Sequence, residues 1–496
     1  MIEKFNIAAL YPELLLCVMA IVIALVDLFV KCPKRTTTYV LSLLTMLAVA
    51  FLQASDAMAG HTVYSFGTMV VSDPMGNWLK CFSTLSVFVT MVYGRPYAAD
   101  RDMLKYGGEF FTLGLFALLG MYVMISGNNF LVLYLGVELL ALSSYALVAL
   151  HRDDAKASEA AMKYFVLGAL GSGFLLYGMS LLYGATGALD IGEVFKAVSS
   201  GQINHQVLIL GLVFLVCGLG FKFGVVPFHM WVPDVYQGAP SVIALLIGGA
   251  HKLAAFAMTM RLLVEGLIPL AVDWQQMLMV MSVASLLIGN LLGIAQTNLK
   301  RMIAFSTISQ MGFVLIGLYS GVVNGSTEAA ANAYSSSMFY VVTYVLTTLG
   351  VFGIIMLLAR QGFESEEIAD FAGLNQRSPL YAGVLALCMF SLAGIPPMVG
   401  FAGKLSVLQA LIASNQPGAI ALATYAVLMS LLAAFYYLRV VKVMYFDAPL
   451  TVVNVSAAKD VRVVLVINSA LLLVLGLLPG GLMTLCARAI VATLGT

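Results

Sequence analysis

The sequence predicts an all-α integral membrane protein of about 14 transmembrane helices, with two inverted five-helix repeats and broken helices seven and twelve. Three observations carry this. Mean hydropathy is +0.99. Only 10% of the 496 residues are Asp, Glu, Lys or Arg, against about 25% in soluble domains. Apolar runs of the length that crosses a hydrocarbon core, about 20 residues, recur from end to end.

The first run, 8–30, lacks a basic leader and an A-x-A site, so it reads as a retained helix and not a signal peptide. Spans two and three cover 38–55 and 76–97. Between them, residues 58–74 (His61 to Pro74) alternate apolar and polar side chains, the pattern of a hairpin outside the membrane. Spans four to eight cover 108–126, 129–150, 157–184, 206–227 and 240–264. Ile191 to Ser200 reads as a short interfacial helix. Spans nine to thirteen cover 275–296, 300–321, 330–359, 379–414 and 419–445, and the last covers 463–494. The domains are then 1–107 (helices one to three), 108–264 and 275–446 (the two repeats) and 463–494 (the final helix).

The duplication rests on helices seven and twelve. One reads Gly218-Leu-Gly-Phe-Lys222-Phe-Gly-Val-Val-Pro227-Phe-His229, the other Gly394-Ile-Pro396-Pro397-Met-Val-Gly400-Phe-Ala-Gly403-Lys404. Each joins Gly and Pro breakers to one lysine. Breakers at corresponding places in two halves are a pointer to a transport site, and an odd helix count per half implies inversion. Orientation follows from Lys and Arg. Of the 25, seventeen fall after odd-numbered helices, while Lys4, Lys80, Lys196, Arg261 and Arg488 fall on the other side. The basic face is expected to be cytoplasmic, with both termini outside.

The remaining three are Lys222, Lys252 and Lys404, each inside a long apolar run. A charge at the bilayer centre costs about 2.5–3.5 kcal/mol on insertion scales. Three such lysines, with Glu138 also in mid-span, imply that the chain moves protons or cations. Helix breaks free backbone groups that water or protein must satisfy, so Pro227 and Pro396/Pro397 predict hydrated points near Lys222 and Lys404. Burial disfavours a charged lysine, and an opposite charge at about 4 Å favours it by about 4 kcal/mol at an effective dielectric of 20. These effects are comparable, so a small movement of Glu138 towards Lys222 would load a proton and the reverse would release it. Lys252 could bridge Lys222 and Lys404 through water. His251 lies about 100° around the helix from Lys252 and reads more as a structural residue. His229 follows the break, with relay duty and loop packing equally open. Glu13 and Asp27 lie nearer helix ends and read as packing residues.

Other chemistries find no support. The six cysteines form neither a CxxC pair nor a Cys/His cluster, so they read as packing residues and not redox or zinc ligands. Gly168-Ala-Leu-Gly171-Ser-Gly173 lacks GxGxxG spacing and strand–helix context. No serine-hydrolase elbow, P-loop or metal motif is present, and a net charge of +1 gives no reason to expect nucleic acid.

The stretch Gly220-Phe-Lys222-Phe-Gly-Val-Val-Pro227-Phe-His229-Met-Trp231-Val-Pro233-Asp234-Val-Tyr236-Gln-Gly238-Ala-Pro240 closely resembles the subunit N family of proton-pumping NADH–quinone oxidoreductase, respiratory complex I. The resemblance extends through Leu299-Lys-Arg-Met-Ile-Ala-Phe-Ser306-Thr-Ile-Ser309 and Gly394 to Lys404. It implies that Glu138 and Lys222 are the pair of helices five and seven, Lys252 the central lysine and Lys404 the terminal one. It implies a translocase subunit of the bacterial inner membrane with no redox centre of its own. FMN, iron–sulfur clusters and quinone would belong to partner subunits, among them the antiporter-like subunits M and L and the small subunits J and K. One departure is Gln310, where many relatives have histidine. Gln310 cannot titrate, so a proton path there must use water or bypass it. An Mrp-type cation/proton antiporter subunit shares the fold and stands as the alternative. A scaffold whose buried charges only fix helix register is a third reading.

Overall fold

The computed structural model describes residues 7–323, 326–359, 363–449 and 457–495. Lys4 and Arg360, both counted in the charge asymmetry, lie outside them. Among the described residues, 11 helices are long and apolar enough to cross a membrane, and Pro379–Ala393, Val399–Ala413 and Gly480–Leu494 are apolar but shorter.

The chain begins with α1 (Tyr11–Asp27) and α2 (Thr36–Ala59). The expected hairpin follows as β1 (Val63–Ser65) and β2 (Val70–Ser72), antiparallel with Tyr64 opposite Val71. Then come α3 (Pro74–Ala99), α4 (Glu109–Ser126), α5 (Phe130–Val148), α6 (Ala155–Thr186), the short α7 (Ile191–Ser199) and α8 (His205–Phe223). The starts of α3, α5, α6, α7 and α8 are fixed by side chains. Asp73, Asn129, Asp154, Asp190 and Asn204 each accept a backbone N–H from the first turn, as N-cap residues do.

The seventh apolar run ends as a helix at Phe223, and helix resumes in α9 (Trp231–Gly238). The eighth run is interrupted at Gly249 between α10 (Ser241–Gly248) and α11 (Ala250–Thr259), and it ends in a π-helical turn, Met260–Gly266. Next are α12 (Ala271–Ile294), α13 (Leu299–Tyr319), α14 (Ala330–Leu358) and the one-turn α15 (Leu374–Arg377). The run 379–414 is two helices, α16 (Pro379–Ala393) and α17 (Val399–Ala413). After α18 (Ala419–Phe446), the run 463–494 is also two helices, α19 (Lys459–Leu477) and α20 (Gly480–Leu494). Pro479 stands at that second boundary, where a proline cannot continue the preceding hydrogen-bond ladder.

Two small junctions repeat one pattern. Phe130 N–H donates to Leu189 C=O and Ile191 N–H to Asn128 C=O, at 2.9 and 3.0 Å. Leu299 N–H donates to Glu366 C=O and Ile368 N–H to Thr297 C=O, at 2.6 and 2.9 Å. In each, the capping Asn of a long helix (Asn129, Asn298) pairs with an acidic residue that opens a short one (Asp190, Glu367).

The core runs along α10, α11 and α13, which are buried along their length except for the half-buried Arg301 near the start of α13. The outer helices expose leucines and valines, as a lipid-facing surface requires. Lys80 and Arg261 are not loop residues. Each sits inside a helical segment and is 1% exposed.

Candidate functional site: buried lysines at two helix ends

Both helix ends are built alike. Gly224 follows α8 with φ +72°, and Gly394 follows α16 with φ +82°. L-side chains rarely adopt this region, which is why glycine terminates helices there. Gly224 N–H donates to the carbonyls of Gly220 and Phe221, and Val225 N–H returns to Gly220. Gly394 N–H donates to Phe390 and Ser391, and Ile395 N–H returns to Phe390. In each case the last two carbonyls before the glycine are left without a helical donor.

A lysine takes them. Lys252 Nζ donates to the carbonyls of Lys222 and Phe223 at 3.2 and 2.9 Å. Lys404 Nζ donates to the carbonyls of Leu392 and Ala393 at 2.9 and 3.1 Å, and to Ser430 Oγ at 2.8 Å. An aromatic ring lies near each ammonium: Trp231 at 5.4 Å from Lys252 and Phe313 at 5.3 Å from Lys404. A cation over a ring face within about 6 Å is attracted by the ring quadrupole. A Cβ added at Gly394 would lie 3.2 Å from Lys404 Nζ, so the glycine also makes room for the amine.

Lys222, His251 and Lys252 line one cavity of about 20 Å³ with Tyr145, Tyr164 and Trp231. That is room for about one water. His251, read from sequence as structural, therefore faces the same space as both lysines. Its Nε2 is 3.5 Å from Ser144 Oγ. His229 lies in the non-helical stretch after α8, half-buried, outside this cavity's lining and with no partner for Nδ1 among the described residues.

Glu138 and Lys222 make no ion pair within 4 Å, although the carboxylate's charge acts on the lysine. Glu138 is only half-buried. It shares a face of α5 with Leu131, Leu135 and Leu142, which are 51%, 65% and 56% exposed. It does not line the cavity of Lys222.

Around Lys404 the structure sets Gln310, the departure named from the sequence, among hydroxyls that the sequence reading passes over. Gln310 Nε2 donates to Leu392 C=O and to Tyr437 Oη, both at 3.0 Å. Tyr340 Oη donates to Gln310 Oε1, and Tyr437 Oη is bonded to Ser306 Oγ. Thr307 Oγ1 meets Tyr344 Oη at 2.8 Å. Lys404 and Gln310 therefore share one carbonyl, at the edge of a patch of buried hydroxyls. The available signal was the cluster Ser306, Thr307, Ser309 and Gln310 within a stretch otherwise apolar from Met302 to Leu318.

The arrangement can hold ammonium protons on unpaired carbonyls and pass them to adjacent hydroxyls or water. Among the described residues no group of three or more His, Cys, Asp or Glu could hold a metal ion.

Comparison with known proteins agrees with this chemistry. Residues 127–430 match the family described as NADH:quinone oxidoreductase/Mrp antiporter, TM. The chain is 68% identical over 492 residues to NADH-quinone oxidoreductase subunit N of Polaromonas naphthalenivorans, covering 99% of this chain and 98% of that one. It is 60% identical over 496 residues to the subunit of that name from Herminiimonas arsenicoxydans, covering 100% of both. A chain of respiratory complex I from Thermus thermophilus superposes with a TM-score of 0.80 at 29% identity, over 96% of this chain and 100% of that one. A chain of the Mrp complex from Dietzia shares the fold, with a TM-score of 0.82 at 20% identity over 98% of this chain and 97% of that one.

Proposed function

Because the chain belongs to the NADH-quinone oxidoreductase subunit N family, we propose that it is the proton-translocating membrane subunit of such an enzyme. Redox chemistry in other subunits drives protons through Glu138, Lys222, Lys252 and Lys404, with His251 at the shared cavity and His229 beside the first break. The observation that carries this is the pair of lysines on freed carbonyls, Lys252 and Lys404. Each holds a proton in a buried site whose acceptors are dipoles rather than a carboxylate, so the charge is not locked in an ion pair.

The reading includes 14 spans, with α4–α11 and α12–α18 as inverted repeats between an N-terminal α1–α3 unit and a C-terminal α19–α20 unit. The matched junctions at Asn129 and Asn298 and the matched ends at Gly224 and Gly394 support a duplication. Burial of Lys80 and Arg261 removes two cations from the sparsely basic side, which favours periplasmic termini in a bacterial inner membrane. The half-buried Glu138 on a leucine-rich face favours a neighbouring membrane subunit there; subunits M, L, J and K are the candidates.

The test is mild-detergent purification of this chain from its native membrane. Co-purification of NADH–quinone activity and iron–sulfur clusters is expected. Sodium-dependent transport by a complex without NADH oxidation would replace this reading with the Mrp-type antiporter.

A further inference from the structure

A buried acid–base pair lies outside the relay. Lys80 Nζ on α3 is 2.6 Å from Glu13 Oε1 on α1, and Ser126 Oγ on α4 donates to the same oxygen at 3.0 Å. Lys80 is 1% exposed and Glu13 8%. Glu13 Oε2 is buried with no partner among the described residues. A static ion pair is stable when its remaining lone pairs are satisfied, and this one is not.

The pair continues along a polar face of α3. Lys80, Ser83, Ser86, Thr90 and Tyr93 are spaced by three or four residues, which places them on one side of the helix. Ser83, Ser86 and Tyr93 are at most 2% exposed, and their hydroxyls have no partner among the described residues. The nearby Gln53 Nε2 on α2 is likewise unpaired, while its Oε1 accepts from Thr84 at 3.1 Å. Five of the buried side-chain atoms without a partner among the described residues therefore lie on α1–α3. Buried polar groups are almost always bonded to protein or water, so this concentration marks a hydrated line.

Its two ends are defined. At the outer end the half-buried Asp56 on α2 feels the charges of both Lys80 and Glu13. Asp73, held by Arg261, also feels Lys80. At the inner end a Cβ on Gly249 would lie 3.5 Å from Ser86 Oγ, so Ser86 touches the interruption between α10 and α11. Lys252 stands three residues beyond it. From Lys80 to Ser86 is about 9 Å along the helix, which two or three waters span.

We propose that Glu13 and Lys80 form a proton-exchanging pair that connects the face near Asp56 to the helix interruption at Gly249 through waters held by Ser83 and Ser86. This rests on the reading that the chain pumps protons, and adds a branch to it. A proton passing from the Lys80 ammonium to the Glu13 carboxylate leaves a neutral amine and a neutral acid. The amine is reloaded by a water on Ser83, which takes a proton in turn from the water on Ser86, resupplied from the Gly249 end, so that no hydroxide remains, and the acid discharges its proton towards Asp56.

The test uses the whole enzyme in proteoliposomes, with NADH-driven proton uptake compared with NADH oxidation. The double variant Glu13→Gln/Lys80→Met removes both charges. If the pair only ties α1 to α3, neutralising both partners together restores wild-type uptake. If it carries protons, uptake falls at least twofold. Ser83→Ala/Ser86→Ala leaves the ion pair in place and is expected to lower uptake at least twofold as well. Wild-type uptake in either variant overturns the proposal. Should the first variant fail to assemble, the serine variant decides by the same criterion. Lys222→Met, measured in parallel, separates the two levels. Normal pumping by Lys222→Met would defeat the relay itself, whereas a defective Lys222→Met beside a normal Glu13→Gln/Lys80→Met defeats this branch alone.

Discussion

Lys252 and Lys404 occupy the same chemical position at two different helix ends: each ammonium holds the last two carbonyls before a left-handed glycine. They reach it from dissimilar places in the chain. Lys404 comes from α17, directly after its break, whereas Lys252 comes from α11, after α9 and α10 have intervened. The sequence pairs Lys222 with Lys404, because each accompanies Gly and Pro breakers. In three dimensions the lysine matched to Lys404 is Lys252, and Lys222 contributes a backbone carbonyl to that site.

This geometry sets the outcome at Lys404. Two carbonyl oxygens and Ser430 face the ammonium, so Lys404→Met leaves buried acceptors unpaired at about 1–3 kcal/mol each. An ionised glutamate there would face the same two oxygens without a donor. A titratable group alone is therefore insufficient, and Lys404→Glu is expected to impair proton uptake as severely as Lys404→Ala. Initial uptake rates in proteoliposomes check this. Near-normal uptake by Lys404→Glu would mean that a titratable group of either sign, and not a donor, is what the site needs.

Gln310 stands where the family resemblance implies a titratable histidine, and the structure shows what the amide does instead. It links Leu392 C=O, Tyr340 and Tyr437 in one buried patch. Gln310→Leu is expected to orphan the Tyr340 hydroxyl, while Tyr437 keeps Ser306, and to lower thermal stability by about 1–3 kcal/mol, with reduced pumping. Gln310→His keeps donor and acceptor capacity and is expected to retain most of both. Thermal unfolding and uptake of the two variants decide; equal losses would show that the amide's shape, not its hydrogen bonding, is required.

Much of this was legible before any coordinates. Long apolar runs announce a many-helix membrane fold, the alternation before Pro74 announces the hairpin, and the three mid-span lysines point to the candidate site. What hydropathy could not show is where an apolar run stops being helical. The interruption at Gly249 and the division at Pro479 leave the mean hydropathy of the run high, although Gly248-Gly249 and Pro479-Gly480-Gly481 are themselves breakers. Nor could it separate a lysine in a loop from one inside a helix two turns from its start, so Lys80 was counted with the loops. The Glu13–Lys80 contact joins residues 67 positions apart, which no local pattern encodes. Glu138 shows the reverse: a mid-span carboxylate reads as buried, yet its helix face is open in the single chain.

Arg261 offers a test of the packing itself. It is 1% exposed and holds Asp73 through both Nη atoms at 2.7 Å, with Glu265 at 2.6 Å. Removing one member of a buried ion pair costs about 3–5 kcal/mol because the partner charge remains. Arg261→Met is therefore expected to prevent stable accumulation of the chain. Asp73 also caps α3 by accepting Gly76 N–H, and an asparagine can keep that cap. Asp73→Asn is then expected to be milder than Asp73→Ala by about 1 kcal/mol in thermal unfolding. Identical unfolding temperatures would place the whole effect in the lost charge.

Asp234, between the apolar spans, ties three helices through its two oxygens. Oδ1 accepts from Arg301 of α13 at 2.7 Å and Oδ2 from Lys163 of α6 at 2.9 Å. Partial burial alone would raise this carboxyl, but the bonds from Lys163 and Arg301 outweigh it and hold the group below the usual carboxylate range. A carboxylate depressed on folding contributes stability above its unfolded value of about 3.9, lost as pH falls through the folded one. All three side chains are about a third or more exposed, so each contact is worth about 0–1 kcal/mol. Asp234→Asn is therefore expected to lower the unfolding temperature slightly, by an amount constant from pH 7 to about 4. The difference between the two proteins should shrink only below that. Unfolding curves of the purified enzyme across this range check it. A gap that closes between pH 7 and 5 would show that Asp234 takes up its proton too early to be the clamp described.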